Sequence, residues 1–313
     1  MTSGRFEKLK GIGRRLTYYG RGFGRDLVPR PWFTARRETL LATADDDDRA
    51  DAAYLSKAGP AVDVSDGTRL SDLSPWKRSR YYYDAVEYLK YFPKDDRILY
   101  VFGDVTRVPD RPTIVKSRPI DGDNANSVVL NLNKLRHFDL VDDPIPFEAK
   151  RPSAVWRGIL NNPKRIAAVR RWGAHPVFDI GHVRLDLPGV TPKPRLDRFE
   201  QLAHRYVVSI EGNDVATNLK WIMASNSLCL MPRPRYETWL MEGRLVAGVH
   251  YAEVADDFSD LDAVIDHYES HPDEARAVVA AAQAYIRRFV DRQRERRVSL
   301  LVLDRYFRRT GQA

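Results

Sequence analysis

The sequence predicts an α/β protein built from parallel βαβ units, with a basic arm at its N-terminus. Three observations predict it. Short β-branched or aromatic runs alternate with helical stretches of ten or so residues, and strand ends run into glycine, asparagine and aspartate. No apolar run approaches the roughly 20 residues that cross a bilayer. With 43% apolar and 30% charged residues, the 313-residue chain is globular rather than disordered and has room for about two domains.

The arm comes first. From Met1 to Leu40 there are ten Lys or Arg against three acids, interleaved with Phe6, Leu9, Leu16, Tyr18, Tyr19, Phe23 and Trp32. Glycines at 11, 13, 20, 22 and 24 are expected to break it. Such a weakly amphipathic basic segment suits an anionic membrane surface, so residues 1–40 are expected to contact one. The run Asp45–Asp48 reads as a solvated separator. Ser79–Tyr91 has apolar residues at helical spacing and is stopped by Phe92-Pro93.

Strands are expected at Arg97–Phe102, Thr113–Lys116, Ser127–Leu132, Ala154–Arg157, Tyr206–Ile210 and Leu228–Met231. Helices are expected near Lys164–Trp172, Arg198–His204, Val215–Ser225, Leu261–Ser270 and Pro272–Val290. Leu185–Pro194, with three prolines and a glycine, is the expected linker between halves. The resulting division is a basic arm (1–44), an N-terminal α/β domain (45–184), a C-terminal α/β domain (185–295) and a final helix (296–313) returning to the N-terminal lobe.

Charge narrows the partners. Lys+Arg 51 against Asp+Glu 43 leaves +8, and only 12 of the bases are lysines. Arginine's planar fork grips phosphate in a bidentate manner, which fits nucleic acid, anionic lipid or a sugar nucleotide. Cys229 is the only cysteine, so no internal disulfide or cysteine-rich zinc site exists. The seven histidines have no paired ligand spacing. The N-terminus carries no apolar secretory stretch, and a cytoplasmic chain is expected.

The most informative window is Tyr206–Tyr251. A strand runs into Glu211-Gly212-Asn213-Asp214 and a helix is expected from Val215. Asn213 or Asp214 would cap that helix, Gly212 would turn the chain, and the helix N-terminus would hold an anion. Thr217 and Asn218 can donate to phosphate oxygens, and Lys220 adds a charge. Other strand ends carry Lys116-Ser117-Arg118, leading to Asp121-Gly122-Asp123, then Arg157-Gly158, and then Arg233, Arg235 and Glu237. Basic groups that hold a diphosphate, with carboxylates able to deprotonate a hydroxyl, suit transfer from a nucleotide-activated donor. Nucleic acid is a poorer fit, because those carboxylates repel its backbone.

These residues carry a resemblance. Phe102–Thr106, Pro109-Asp110, Ile114–Pro119, Trp156-Arg157-Gly158, Ser209–Trp221, Tyr236–Trp239, His250-Tyr251 and Asp257–Leu261 occur in the order found in the bacterial branch of glycosyltransferase family 90. That branch includes lipopolysaccharide core glycosyltransferases, and it is similar to protein O-glucosyltransferases and capsule xylosyltransferases. The resemblance covers about three-quarters of the chain. It implies two Rossmann-like lobes of GT-B type, a donor site in the C-terminal lobe, a UDP-sugar donor, and an inverting mechanism without metal or other cofactor. The acceptor would be a glycan or glycolipid hydroxyl, and the enzyme would sit at the cytoplasmic membrane face.

On that resemblance Arg157 contacts the donor diphosphate, the Gly212–Lys220 turn holds phosphate and ribose, and Glu237 stands near the sugar nucleotide. Lys116 and Arg118 join the donor set. Two positions depart from the family pattern: Asn218 stands where eukaryotic relatives have arginine, and Pro119 where they place the catalytic aspartate. The expected base is therefore Asp121 or Asp123, with Asp104 and Glu211 as alternatives. The spacing of Asp121-Gly122-Asp123 also resembles a metal motif, which the resemblance argues against. The rival readings are a non-enzymatic nucleic-acid-binding protein and a glycosyltransferase with another donor or stereochemistry.

Overall fold

The computed structural model describes residues 3–75, 79–184 and 188–312, with the backbone alone for residues 3–10. The first elements are helices α1 (Ser3–Leu27), α2 (Arg30–Ala42) and α3 (Asp46–Leu55), strand β1 (Thr68–Arg69) and helix α4 (Ser79–Leu89). Strands β2 (Arg97–Ile98), β3 (Tyr100–Val101), β4 (Thr113–Val115), β5 (Arg118–Pro119) and β6 (Ser127–Val129) follow. Next come α5 (Lys134–His137), β7 (Arg151–Gly158), α6 (Pro163–Trp172), β8 (Asp179–His182), α7 (Arg198–Gln201), β9 (His204–Val208), α8 (Leu219–Met223) and β10 (Leu228–Met231). The chain closes with β11 (Tyr236–Glu237), β12 (Ala252–Glu253), α9 (Leu261–Ser270), α10 (Pro272–Arg287) and α11 (Arg292–Arg309). The class is α/β with parallel sheets.

Two compact units emerge. The first comprises Met1–Arg136, Tyr236–Met241 and Phe289–Ala313; the second comprises His137–Arg235 and Glu242–Arg288. Residues 188–194 of the expected linker lie inside the second unit, and residues 185–187 are outside the described residues.

In the first unit β3, β4 and β6 form a parallel sheet. The strand expected over 97–102 is split. β2 pairs antiparallel with β1, while β3 pairs with β4. Leu99 lies between them, its N–H donating to the Tyr306 hydroxyl at 2.9 Å and its carbonyl accepting from Ile114 N at 2.8 Å. A side chain of α11 thus replaces one ladder bond at the switch.

The N-terminal arm is not broken by its glycines. α1 is continuous over 25 residues, and Gly22 explains part of this: a Cβ there would lie 2.5 Å from the Tyr83 ring of α4. The missing side chain lets the two helices approach. Tyr18, one turn earlier, donates from its hydroxyl to Arg80 O and to Asp84 Oδ1, both at 2.8 Å.

The acidic run 45–48 is likewise more than a separator. Asp45 caps α3 by accepting from Asp48 N at 2.8 Å, and three aspartates in the first turn complement the helix dipole. Asp48 and Asp51 are buried and pair with Arg297 and Arg294 of α11, each at 2.5 Å.

Asp84 is buried beneath α1, and burial pushes its carboxyl up to about 6 against the attraction of Lys134. A raised carboxyl favours the folded state only while protonated. Its contribution is present below about pH 4 and lost as the pH rises to about 6, on the order of 2–3 kcal/mol. Asp84→Asn stays neutral, so its stability relative to wild type should rise across that window in urea unfolding. A pH-independent difference would contradict the assignment.

The second unit holds five parallel strands in the order β12-β10-β9-β7-β8. Ser153–Trp156 of β7, Tyr206–Val208 of β9 and all of β10 are buried on both faces, and the apolar runs of β9 and β10 reflect it. Trp156, Tyr206, Val208, Leu230, Phe258 and Leu261 belong to one core cluster, and the Trp172 indole N–H donates to Phe258 O at 2.8 Å.

Candidate donor-binding site

The strand order fixes where a ligand can meet the second unit. β8 flanks β7 on one side, and the chain then returns to place β9 on the other. The loops after β7 and β9 therefore leave neighbouring strand ends toward opposite flanks. At such a crossover the carboxyl edge of an open parallel sheet forms its ligand crevice.

Side chains tie those two loops together. Asn162 caps α6, accepting from Arg165 N at 3.0 Å, and its amide donates to Glu211 O at 2.6 Å and Gly212 O at 2.7 Å. Proline at the first helical position needs no N–H partner, so Asn162-Pro163 starts α6 at the strand end. Arg165 spreads its guanidinium over both loops. Nε donates to Glu211 O at 3.0 Å, Nη2 to Ile210 O at 3.0 Å, and Nη1 to Asn161 Oδ1 at 2.9 Å and Ile159 O at 3.2 Å. The same cation lies 5.6 Å from the Trp156 ring centre. Asn161 Nδ2 reaches Asn213 Oδ1 at 3.2 Å.

Charged groups from two further strand ends join them. Lys164 pairs with Asp256 at 2.8 Å and stands 3.7 Å from Glu211. Arg235 pairs with Asp256 too, and its backbone N–H donates to Glu211 Oε1 at 2.9 Å. These pairs lower the Asp256 carboxyl, chiefly through the Lys164 hydrogen bond. Arg233 and Arg235 are exposed. A capped helix N-terminus, amides and cations at one edge suit a diphosphate, and Glu211 can accept from ribose hydroxyls.

Gly212 and Asn213 thus stand at the crossover, as the sequence suggests. The rest of that stretch differs. The helix expected from 215 starts at Leu219 and lasts five residues. Asn218 does not donate outward: its amide bonds Val208 O at 3.0 Å, its Oδ1 accepts from Ser209 at 3.2 Å, and this holds 214–218 against β9. Asp214 is buried, and Thr217 is half-buried in the turn. Lys220 is fully buried and pairs with equally buried Glu242 at 2.6 Å, so it is not presented to a ligand. The side-chain-capped helix N-terminus at this edge is that of α6, and α8 has no side-chain cap bond.

Arg157 points toward β8. Nη2 pairs with Asp179 at 2.5 Å, Nη1 donates to Asp179 O at 2.6 Å and Trp156 O at 3.0 Å, and Nε to Pro194 O at 2.9 Å. The guanidinium at the crossover is Arg165's. Sequence reasoning missed Asn161, Asn162, Lys164 and Arg165, although the dipeptide Asn-Pro is a helix-start signal.

In the first unit Arg118 and Glu237 pair at 2.7 Å across β5 and β11, 0% and 1% exposed. Arg118 also donates to Tyr54 O, Leu55 O and Ser127 O, while Glu237 Oε2 accepts from Tyr54 at 2.6 Å. These two expected donor contacts are therefore spent on each other. Asp121 and Asp123 are exposed in a turn where Gly122 has φ 81° and Asp123 accepts from Ala125 N at 3.0 Å. That geometry is a turn aspartate's.

Asp104 is held differently. It follows β3 and buried Lys116 follows β4, so the parallel pairing brings them to one sheet edge, Nζ to Oδ1 2.6 Å. Gly103, at φ 143°, makes the turn before it, and Val105 N donates to Ser117 Oγ at 3.1 Å. Asp104 remains 32% exposed, hence oriented yet reachable. Lys116 serves this carboxylate.

Comparisons with known proteins agree with one another. The family model described as Glycosyl transferase family 90 matches residues 133–307. An O-glucosyltransferase, LpsA, of Dichelobacter nodosus is 48% identical over 237 residues, which cover 74% of this chain and 73% of that protein. The chain belongs to glycosyltransferase family 90, and its reaction is glycosyl transfer.

Proposed function

We propose that the chain transfers a hexose from a UDP-sugar to a hydroxyl of a lipopolysaccharide-core or other cell-surface glycan, with inversion and without metal. The observation that carries the donor reading is the convergence of Asn161, Asn162, Lys164, Arg165, Glu211, Gly212 and Arg235 at the β7–β9 crossover. Arg165 is a positioning residue that sets the two loops. The N-terminus of α6 with Lys164 and Arg235 takes the diphosphate. The name of the 48% identical relative supports glucose as the sugar. GT-B type lobes and a cytoplasmic location belong to this reading.

The chemistry balances simply. A carboxylate removes the proton from the acceptor hydroxyl, whose oxygen forms the new bond to the anomeric carbon. The bond from that carbon to the diphosphate oxygen breaks, and UDP leaves with its added charge met by the cations. Asp104 takes the base role in place of Asp121 or Asp123, because it is fixed by Lys116 at a sheet edge. Calorimetric titration of UDP into the chain and into crossover variants tests the reading. Weakened binding on loss of Arg165 supports it, and the absence of UDP binding by the wild type removes it.

A further inference from the structure

α1 has two unlike faces. Tyr18, Gly22 and Arg25, at i, i+4 and i+7, meet α4: Tyr18 donates to Arg80 O, Gly22 abuts Tyr83, and Arg25 Nη2 donates to Tyr83 O at 2.6 Å. Ile12, Leu16, Phe23 and Leu27 recur at spacings of four, seven and four, which places them on the opposite face. They are 47%, 69%, 62% and 70% exposed. Trp32, at the start of α2, adds another exposed ring, with the Arg36 guanidinium 3.6 Å from its centre. Among the described residues, the other exposed large apolar side chains are five valines. Among the described residues, every exposed leucine, isoleucine, phenylalanine and tryptophan therefore lies between 12 and 32.

The charge around this stripe has one sign. Residues 11–37 contain seven arginines and one acid, Asp26, and Arg14, Arg15, Arg21 and Arg36 are exposed. An interface-lying helix combines these features: an apolar face sinks below the headgroups while arginines meet anionic phosphates. A second copy of this face would bring like charges together, and nucleic acid would leave the leucines and phenylalanine without a partner.

From this juxtaposition we infer that the outer face of α1, continued by Trp32, docks the protein in the plane of an anionic lipid surface. The inference goes beyond the donor reading and does not depend on it.

The test is co-sedimentation of the full chain with vesicles of phosphatidylglycerol and phosphatidylethanolamine, against vesicles of phosphatidylcholine alone. The wild type binds the anionic vesicles and is released by salt. The double variant Leu16→Ser/Phe23→Ser partitions at least tenfold more weakly, with unchanged Tm because both side chains are exposed. Arg15→Glu/Arg21→Glu loses binding in the same direction. Equal binding to both vesicle types, unchanged partition of the Leu16/Phe23 variant, or a dimer that this variant dissolves would each overturn the inference.

Discussion

Asp104→Asn is expected to lower kcat by about 10²- to 10⁴-fold while UDP affinity is unchanged. Asparagine keeps the shape of the carboxylate and can still accept from Lys116, but it cannot take the acceptor's proton. The comparison that matters is with the turn aspartates. Asp121→Asn and Asp123→Asn are expected to retain wild-type rates, since both side chains are exposed and Asp123 accepts from Ala125 N within its own turn. Steady-state transfer assays on the three variants, with Tm measured alongside, decide the assignment. An inactive Asp121→Asn beside an active Asp104→Asn would return the base to the loop.

The second large effect falls on stability. Arg118 and Glu237 are a buried pair in which Arg118 makes four hydrogen bonds, three of them to backbone carbonyls. Removing Arg118 takes the cation away from a buried carboxylate, which costs about 3–5 kcal/mol. That is a large part of a typical total of roughly 5–15 kcal/mol. Arg118→Met should therefore shift the urea midpoint far down. Adding Glu237→Leu should recover part of the loss, because the buried carboxylate that has lost its cation disappears with it. The pair also fastens residues 236–241 to the first unit, through the antiparallel match of Glu237 with Arg118. A loss below about 1 kcal/mol for the single variant, the range of exposed pairs, would contradict the role given to the pair.

Much of the α/β alternation was legible, because strand and helix periodicities are local. The positions of β4, β7, β10, α6, α9 and α10 follow from runs such as Thr113–Val115 and Leu228–Met231 and from helical spacing. What escaped depends on partners distant in sequence. Nothing local shows that Leu99 hands one of its bonds to Tyr306, or that residues 188–194 stay inside one unit. Five glycines read as breaks in the arm, yet α1 is continuous and Gly22 is where α4 comes close.

The site was legible in its loops and not in its side chains. Gly212 and Asn213 were found because a strand followed by glycine and asparagine marks a turn. Arg118, Lys220 and Glu237 looked like ligands because charge near a strand end suggests a surface, and only burial shows each paired inside the protein. Arg165 went unnoticed because a helix arginine has no local signature until its partners at 210 and 211 are known.

The claim that the donor nucleotide sits at the β7–β9 crossover is tested most directly by titrating UDP into the wild type, Arg165→Ala and Arg276→Ala in a calorimeter. Arg276 pairs at 2.8 Å with Glu148, ahead of β7 and so at the opposite end of that strand. Arg165→Ala should raise Kd at least tenfold, as expected for losing the group that orders the phosphate-facing loops, while Arg276→Ala should match the wild type. An unaltered Kd for Arg165→Ala would contradict the account.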